Sequence, residues 1–207
     1  MSDSPKAAMT AVILAGGRAE RMGGQDKGLL PLAGRPMIDH VLRILRPQVG
    51  ALLINANRSL DDYRALGYPV ISDDLGLFFG PLAGMLAALN ASHTPYLLTA
   101  PCDSPLLPND YAQRMVAALT QEHAELSVAH HGQRLQPVFV LLRAELRDSL
   151  RDYLTAGERK IDRWFARHRM AVVDFSDQPA MFRNINTPEE LTALEAEIIK
   201  GPFAPAG

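Results

Sequence analysis

The sequence predicts an α/β fold, a three-layer arrangement in which a mostly parallel central sheet is covered by helices on both faces. Three observations predict it. Short, wholly apolar runs alternate with longer stretches of helical periodicity. The apolar runs lack the in-out alternation of a sheet with one wet face. Several of them stop at polar residues, Asn55, Asp73 and Asp103 among them. In such a sheet ligands gather at the carboxyl edge where strand order reverses, so residues far apart in sequence meet on one rim.

Residues 9–14 are apolar and short, as a buried parallel strand is, and Ala15-Gly16-Gly17 ends the run. Residues 28–32 read as an extended piece closed by a turn at Ala33-Gly34. Pro36 suits the first position of a helix whose buried face is Ile38, Val41, Leu42 and Leu45. Strands are expected at 51–55 and 70–72, with a short helix over 60–66 between them. Gly80-Pro81 opens a helix with Leu82, Met85, Leu86 and Leu89 inward, and residues 96–100 form the strand expected at the sheet centre. Asn109 is expected to cap a helix running to about residue 120. The rhythm then changes. Strands at 126–129 and 137–142 join around His131-Gly132, helical pieces fill 144–168, and a strand follows at 171–175. Thr187-Pro188-Glu189-Glu190 has the form of a capping box and starts a last helix to about residue 200.

At 207 residues and 47% hydrophobic content the chain can bury a proper core, and its length suits one domain, residues 1–200, followed by a Gly-Pro-rich flexible tail at 201–207. Lys and Arg number 21 against 23 Asp and Glu, so no global field holds nucleic acid or an anionic membrane; a polyanion must meet a local cluster. The single cysteine, Cys102, cannot form an internal disulfide, no apolar run reaches membrane length, and residues 1–10 lack the pattern of a signal peptide. These features point to a reducing cytoplasm and a small partner.

The chemistry centres on residues 14–27. Two adjacent glycines, Gly16 and Gly17, remove the Cβ atoms that would keep a ligand off the main chain, and Gly23-Gly24 repeat the device. Arg18, Arg21 and Lys27 are cations placed for a polyphosphate, partly offset by Glu20 and Asp26. The spacing is neither that of a P-loop nor that of Gly-x-Gly-x-x-Gly. Lys27, a compact ammonium at the loop's end, suits the α- or β-phosphate of a nucleotide. Asp103 closes the most apolar strand between two prolines, where a carboxylate presents an oxygen to a hard cation such as Mg²⁺. Asp73 is either ligand-facing or solvated; Asn55 reads a base edge or ribose, or is a turn asparagine. Cys102 reads as a small buried thiol, and the six histidines show no metal-ligand spacing. Residues 158–169 carry Arg159, Lys160, Arg163, Arg167 and Arg169, a basic patch for an anionic acceptor that Arg134 and Gln136 can join, whereas Trp164 has the spacing of a buried helix face. Asn184 and Asn186 either reach back to the acceptor or metal, or cap the last helix.

The run Leu14-Ala15-Gly16-Gly17, then Arg21-Met22-Gly23, then Asp26-Lys27, resembles the signature of the sugar-nucleotidyltransferase-like superfamily. Gly80-Pro81-Leu82-Ala83-Gly84, Pro101-Cys102-Asp103 and residues 184–189 follow in the order seen in the molybdenum cofactor guanylyltransferases, and the resemblance covers nearly the whole chain. It implies a Rossmann-like nucleotidyltransferase fold, with a nucleotide-binding half at about 8–120 and an acceptor-binding half at about 121–200. It also implies GMP transfer from Mg-GTP to the terminal phosphate of molybdopterin, with release of pyrophosphate. By motif, Leu14, Ala15, Gly16, Gly17, Lys27, Asn55, Asp73 and Asp103 would contact GTP, Asp103 would hold the Mg²⁺, and Lys27, Arg21 and Asp103 would be catalytic. The candidates for the acceptor are Arg134, Arg159, Lys160, Asn184 and Asn186, and molybdenum-insertion or molybdoenzyme-maturation proteins are candidate partners. Two other readings stand beside this one: a cytidylyltransferase of the same fold, and a non-catalytic carrier of a nucleotide or cofactor.

Overall fold

The structure is a computed structural model that describes residues 6–17, 26–74, 80–185 and 187–200. Its frame is a seven-stranded sheet in the order β5-β4-β1-β6-β8-β7-β9. Its strands are β1 (Met9–Leu14), β4 (Ala51–Asn55), β5 (Val70–Ile71), β6 (Tyr96–Pro101), β7 (Leu126–His130), β8 (Leu135–Arg143) and β9 (Met170–Asp174). β1 pairs in parallel with β4 and β6, β4 with β5, and β7 with β9; β8 pairs antiparallel with both β6 and β7. Of the seven, β8 therefore runs against the rest, so the sheet is mostly parallel and β6 is its central strand, as the sequence predicts.

Layers follow from side-chain alternation. Ala11 and Ile13 of β1 join one core with Ile38, Val41, Leu42 and Leu45 of α1 (Met37–Leu45) and Met115 and Leu119 of α4 (Tyr111–Gln121). Val12 of the same strand joins a second core with Leu82, Met85, Leu86 and Leu89 of α3 (Pro81–Ala91). Leu150 and Leu154 of α5 (Arg147–Thr155) and Trp164 of α6 (Ile161–Phe165) complete it. Helix α3 is buried over 82–89, because it lies between the sheet and α5. Trp164 is core, as its spacing indicates.

Several boundaries differ from the expected ones for local reasons. Residues 27–29 form a turn of 3₁₀ helix, and the extended piece shrinks to a hairpin of β2 (Pro31–Leu32) and β3 (Arg35–Pro36). Its turn at Ala33-Gly34 has positive φ at both residues, 49° and 76°, the geometry that matches strand twist in a two-residue loop. Pro36 precedes α1 instead of opening it. Helix α2 is shorter than expected, Leu60–Arg64, after Ser59 with a φ of 49°. Asn109 is not the cap of α4: Asp110 occupies that place, and its side chain makes no capping bond. The second-half strands β7 and β8 are both longer than expected, and β9 starts one residue early.

The last helix, α7 (Pro188–Lys200), has its expected capping box: the Glu190 N–H donates to Thr187 Oγ1 at 3.2 Å and the Thr187 N–H to Glu190 Oε2 at 3.1 Å. Leu194 and Ile198 pack on Leu30, Leu32, Met37 and Ile185, and Glu195 accepts the Ala33 N–H, which fixes α7 to the β2–β3 hairpin.

Candidate active site

Strand order reverses between β1 and β6, since the chain winds from β1 outward to β4 and β5 and returns to β6 on the other side. A cavity of about 290 Å³ opens at that point on the carboxyl rim. Leu14, Ala15, Gly16 and Gly17 line it from the end of β1, Asn55 from β4, Asp73 from beyond β5, and Pro101, Cys102 and Asp103 from β6. Among the described residues Asp26, Lys27, Arg58, Gly80, Pro81 and Val138 line it as well. The structure thus brings together every proposed nucleotide contact among the described residues. Arg18, Arg21, Gly23, Gly24, Asn186 and the tail lie outside them.

Among the described residues three carboxylates line the cavity, and their bonding separates them. Asp73 accepts from the amides of Asn55 at 2.9 Å on one oxygen and Asn57 at 2.8 Å on the other, while its own N–H donates to Asn57 Oδ1 at 2.9 Å. Asn55 is buried, and its carbonyl oxygen sits against Gly84: a Cβ there would lie 2.3 Å from Asn55 Oδ1. Asn55 therefore has a use beyond the two that its position at a strand end suggested, which is to hold Asp73. Asp26 accepts from the Tyr63 hydroxyl at 3.0 Å on Oδ1 and from Arg58 Nε at 3.1 Å on Oδ2. Asp103 accepts from Lys27 Nζ at 3.3 Å on Oδ2 alone, and among the described residues its Oδ1 has no hydrogen-bond donor.

Those partners rank the three carboxylates as cation ligands. Asp26 and Asp73 have both oxygens occupied by protein donors, whereas Asp103 keeps one oxygen to offer. Among the described residues no group of three or more His, Cys, Asp or Glu side chains could hold a metal ion by itself. A cation here would fit only as Mg²⁺ commonly binds, by one or two carboxylates with phosphate oxygens and water supplying the rest.

Backbone and neutral groups complete the site. Among the described residues a Cβ on Gly17 would meet nothing within 4 Å. Burial, and then the adjacent Asp103, push the Cys102 thiol far up, so it is a protonated packing group and not a nucleophile. Burial likewise raises the Tyr63 hydroxyl, which keeps its proton for Asp26.

The acceptor candidates scatter. Arg134 lies in the β7–β8 hairpin on the same rim as the cavity, where its carbonyl takes the His131 N–H, and His130 Nδ1 accepts from the Gly132 N–H at 3.0 Å. Asn184 accepts from the Ser104 hydroxyl at 3.0 Å and so adjoins the loop that carries Asp103; capping of α7 falls to Thr187. Arg159 donates to the carbonyls of Leu154 and Glu158, and the Lys160 carbonyl receives the Tyr153 hydroxyl. None of these four lines the cavity. Within the basic segment Arg159, Lys160 and Arg167 gather around Leu154 and Tyr153 of α5, where Arg167 stacks over the Tyr153 ring, while the Arg169 N–H donates to Glu125 beside the starts of β7 and β9, on the opposite rim.

Sequence reasoning missed Arg58, Asn57 and Tyr63 and read Asp26 only as a charge offset. Arg58 and Asn57 follow a strand end with no glycine or motif to mark them, and Tyr63 reaches the site only because α2 folds back after Ser59.

Comparison with known proteins is consistent with this geometry. A family model described as the MobA-like NTP transferase domain matches residues 11–172. The molybdenum cofactor guanylyltransferase of Shewanella sediminis is 54% identical over 92% of this chain and 97% of its own length. That of Shewanella woodyi is 52% identical, with 92% and 97% covered. Among solved structures, molybdopterin-guanine dinucleotide biosynthesis protein A from Archaeoglobus fulgidus superposes with a TM-score of 0.76 at 24% identity, covering 93% of this chain and 99% of that one. A CMP:2-keto-3-deoxy-manno-octonic acid synthetase complexed with CTP shares the fold at a TM-score of 0.67 and 12% identity, covering 93% of this chain and 98% of the other.

Proposed function

The chain belongs to the MobA-like NTP transferase family, and from that membership we propose that it transfers GMP from magnesium-bound GTP to the terminal phosphate of molybdopterin, forming the guanine dinucleotide and releasing pyrophosphate. One observation carries the reading at the level of the site. Lys27 and the half-open carboxylate of Asp103 stand 3.3 Å apart in the cavity that the glycine strip at the end of β1 also lines.

The chemistry follows from charge. The acceptor phosphate is ionised at neutral pH, so attack needs orientation and electrostatic stabilisation more than a general base. An oxygen of that phosphate attacks the α-phosphorus, the bond from this phosphorus to the bridging oxygen of the β-phosphate breaks, and its electron pair leaves with pyrophosphate. Leu14, Ala15, Gly16 and Gly17 give the nucleotide a main-chain floor, and Asp73, oriented by Asn55 and Asn57, meets the base or ribose. Lys27 stabilises the charge that builds on the phosphates, and Arg21 is assigned the same role. Asp103 would hold the Mg²⁺, which when bound draws charge from the phosphorus under attack.

The acceptor is assigned to the neighbouring stretch of rim, where Arg134 and Asn184 lie, with Arg159 and Lys160 as the alternative pair. Cytoplasmic molybdenum-insertion or molybdoenzyme-maturation proteins would then deliver the acceptor and take the product. Among the described residues no helix is long and apolar enough to cross a membrane.

Thermal shift with each of the four ribonucleoside triphosphates, with and without Mg²⁺, tests the nucleotide assignment. Ligand at about 100 times its dissociation constant adds about 2.7 kcal/mol, so GTP should raise the melting temperature by several degrees, and more with Mg²⁺. A CTP-selective shift would move the assignment to a cytidylyltransferase.

A further inference from the structure

Arg58 belongs to none of the motifs that marked the site, yet it lines the cavity from the loop after β4. Its Nε is fixed on Asp26 at 3.1 Å, and neither terminal nitrogen has a partner among the described residues. The two sides of this pair differ in exposure: the Asp26 side chain is 5% exposed and the Arg58 side chain 40%. The buried carboxylate is thus an anchor, and the guanidinium is the part open to solvent. Asp26 is itself held from the other side by the Tyr63 hydroxyl at 3.0 Å, and Tyr63 is a core residue of α2.

On the proposed GTP-dependent reading of this cavity, we propose that Arg58 binds the β- and γ-phosphates of the nucleotide through its terminal nitrogens, while Asp26, positioned by Tyr63, holds the guanidinium in place through Nε. Charge balance supports this. The described residues that line the cavity bring three carboxylates, Asp26, Asp73 and Asp103, against two cations, Lys27 and Arg58. Among these described lining residues, Arg58 supplies one of the two positive charges that offset the carboxylates. The chemistry of the group fits as well, because a guanidinium held by one nitrogen still presents two parallel N–H donors, which match a pair of phosphate oxygens. Burial keeps the Tyr63 hydroxyl protonated and so a donor to Asp26 Oδ1. Asp26 and Tyr63 are positioning residues in this arrangement, and Arg58 is the group that touches substrate.

Calorimetric titration of the full chain with GTP, GDP and GMP in magnesium buffer tests the assignment through the number of phosphates. Arg58→Gln should weaken GTP and GDP binding by about tenfold or more, the size of one lost charge-assisted hydrogen bond, and leave GMP binding unchanged. Arg58→Lys, which cannot serve Asp26 and phosphate together, should restore only part of the loss. Tyr63→Phe should weaken GTP by a smaller factor and again spare GMP. Unchanged GTP binding in Arg58→Gln overturns the proposal, and so does an equal loss for GTP and GMP, which would mark a structural ion pair. Should the wild-type chain select CTP, the guanine assignment fails by itself, and the same series with CTP, CDP and CMP decides the role of Arg58. A wild-type chain that binds no nucleoside triphosphate overturns both.

Discussion

Gly28 shows how closely single residues set this site. A Cβ there would lie 2.8 Å from the Tyr63 hydroxyl and 3.2 Å from Cys102 Cβ, and neither can retreat: one is tied to Asp26 and the other closes β6. Gly28→Ala should therefore destabilise the fold by about 1–3 kcal/mol through overpacking, read as a melting temperature lower by several degrees. It should also displace the adjacent Lys27 and raise the KM for GTP. Asp103→Asn and Lys27→Ala should instead leave the melting temperature close to wild type and reduce turnover at saturating Mg-GTP by about 10²–10³-fold. Wild-type turnover in either would remove these residues from the mechanism. What was legible here depended on sequence distance. Glycines and charges within one loop declare themselves, whereas the bonds from Tyr63 and Arg58 to Asp26, and from Asn57 to Asp73, exist only once strand ends meet.

At the scale of elements, legibility followed the strength of local signals. Strands β1 and β4, apolar but for Thr10 and Asn55, were legible to the residue, and the Thr187–Glu190 capping box was legible from four letters, because both are set by local chemistry. Asn109 misled, since a capping residue type does not reveal where α4 starts: the Tyr111 N–H already bonds to the Pro108 carbonyl. The hairpin that joins β7 to β8 was legible, but the full length of β8 was not, because it arises from pairing on both sides, with β6 and with β7 across an irregularity at Val128 and Ala129. Helix α7 offers a clean test of element-level energetics. Thr187→Ala removes one half of the capping box and should cost about 0.5–2 kcal/mol, measured by denaturant titration. Activity should hold, since α7 packs on the β2–β3 hairpin and not on the cavity.

Across the whole molecule, the two rims of the sheet have separate tasks. The carboxyl rim gathers the site, and the amino rim carries ties such as Glu125, which accepts the Arg169 N–H at 2.9 Å and faces His168 where β7 and β9 begin. That backbone bond, more than the neighbouring charges, holds the Glu125 carboxyl below its ordinary range. A depressed carboxyl stabilises the fold above its unfolded pKa, about 4.3, and the contribution disappears as pH falls through the lower folded value. Glu125→Gln should accordingly be less stable than wild type at neutral pH, with the difference closing in acid, as melting curves at a series of pH values would show. A difference that persisted in acid would assign Glu125 a packing role alone.

The fold places a glycine strip, Lys27, Asp73 and Asp103 at one switch point, and the central claim is that this rim joins GMP to a phosphorylated pterin. The most direct measurement is turnover of GTP against CTP by the full chain with Mg²⁺, with and without molybdopterin, following pyrophosphate and the dinucleotide together. The account predicts release of pyrophosphate that requires both GTP and molybdopterin, with one dinucleotide formed for each pyrophosphate. Preference for CTP, or no pyrophosphate with acceptor present, would contradict it.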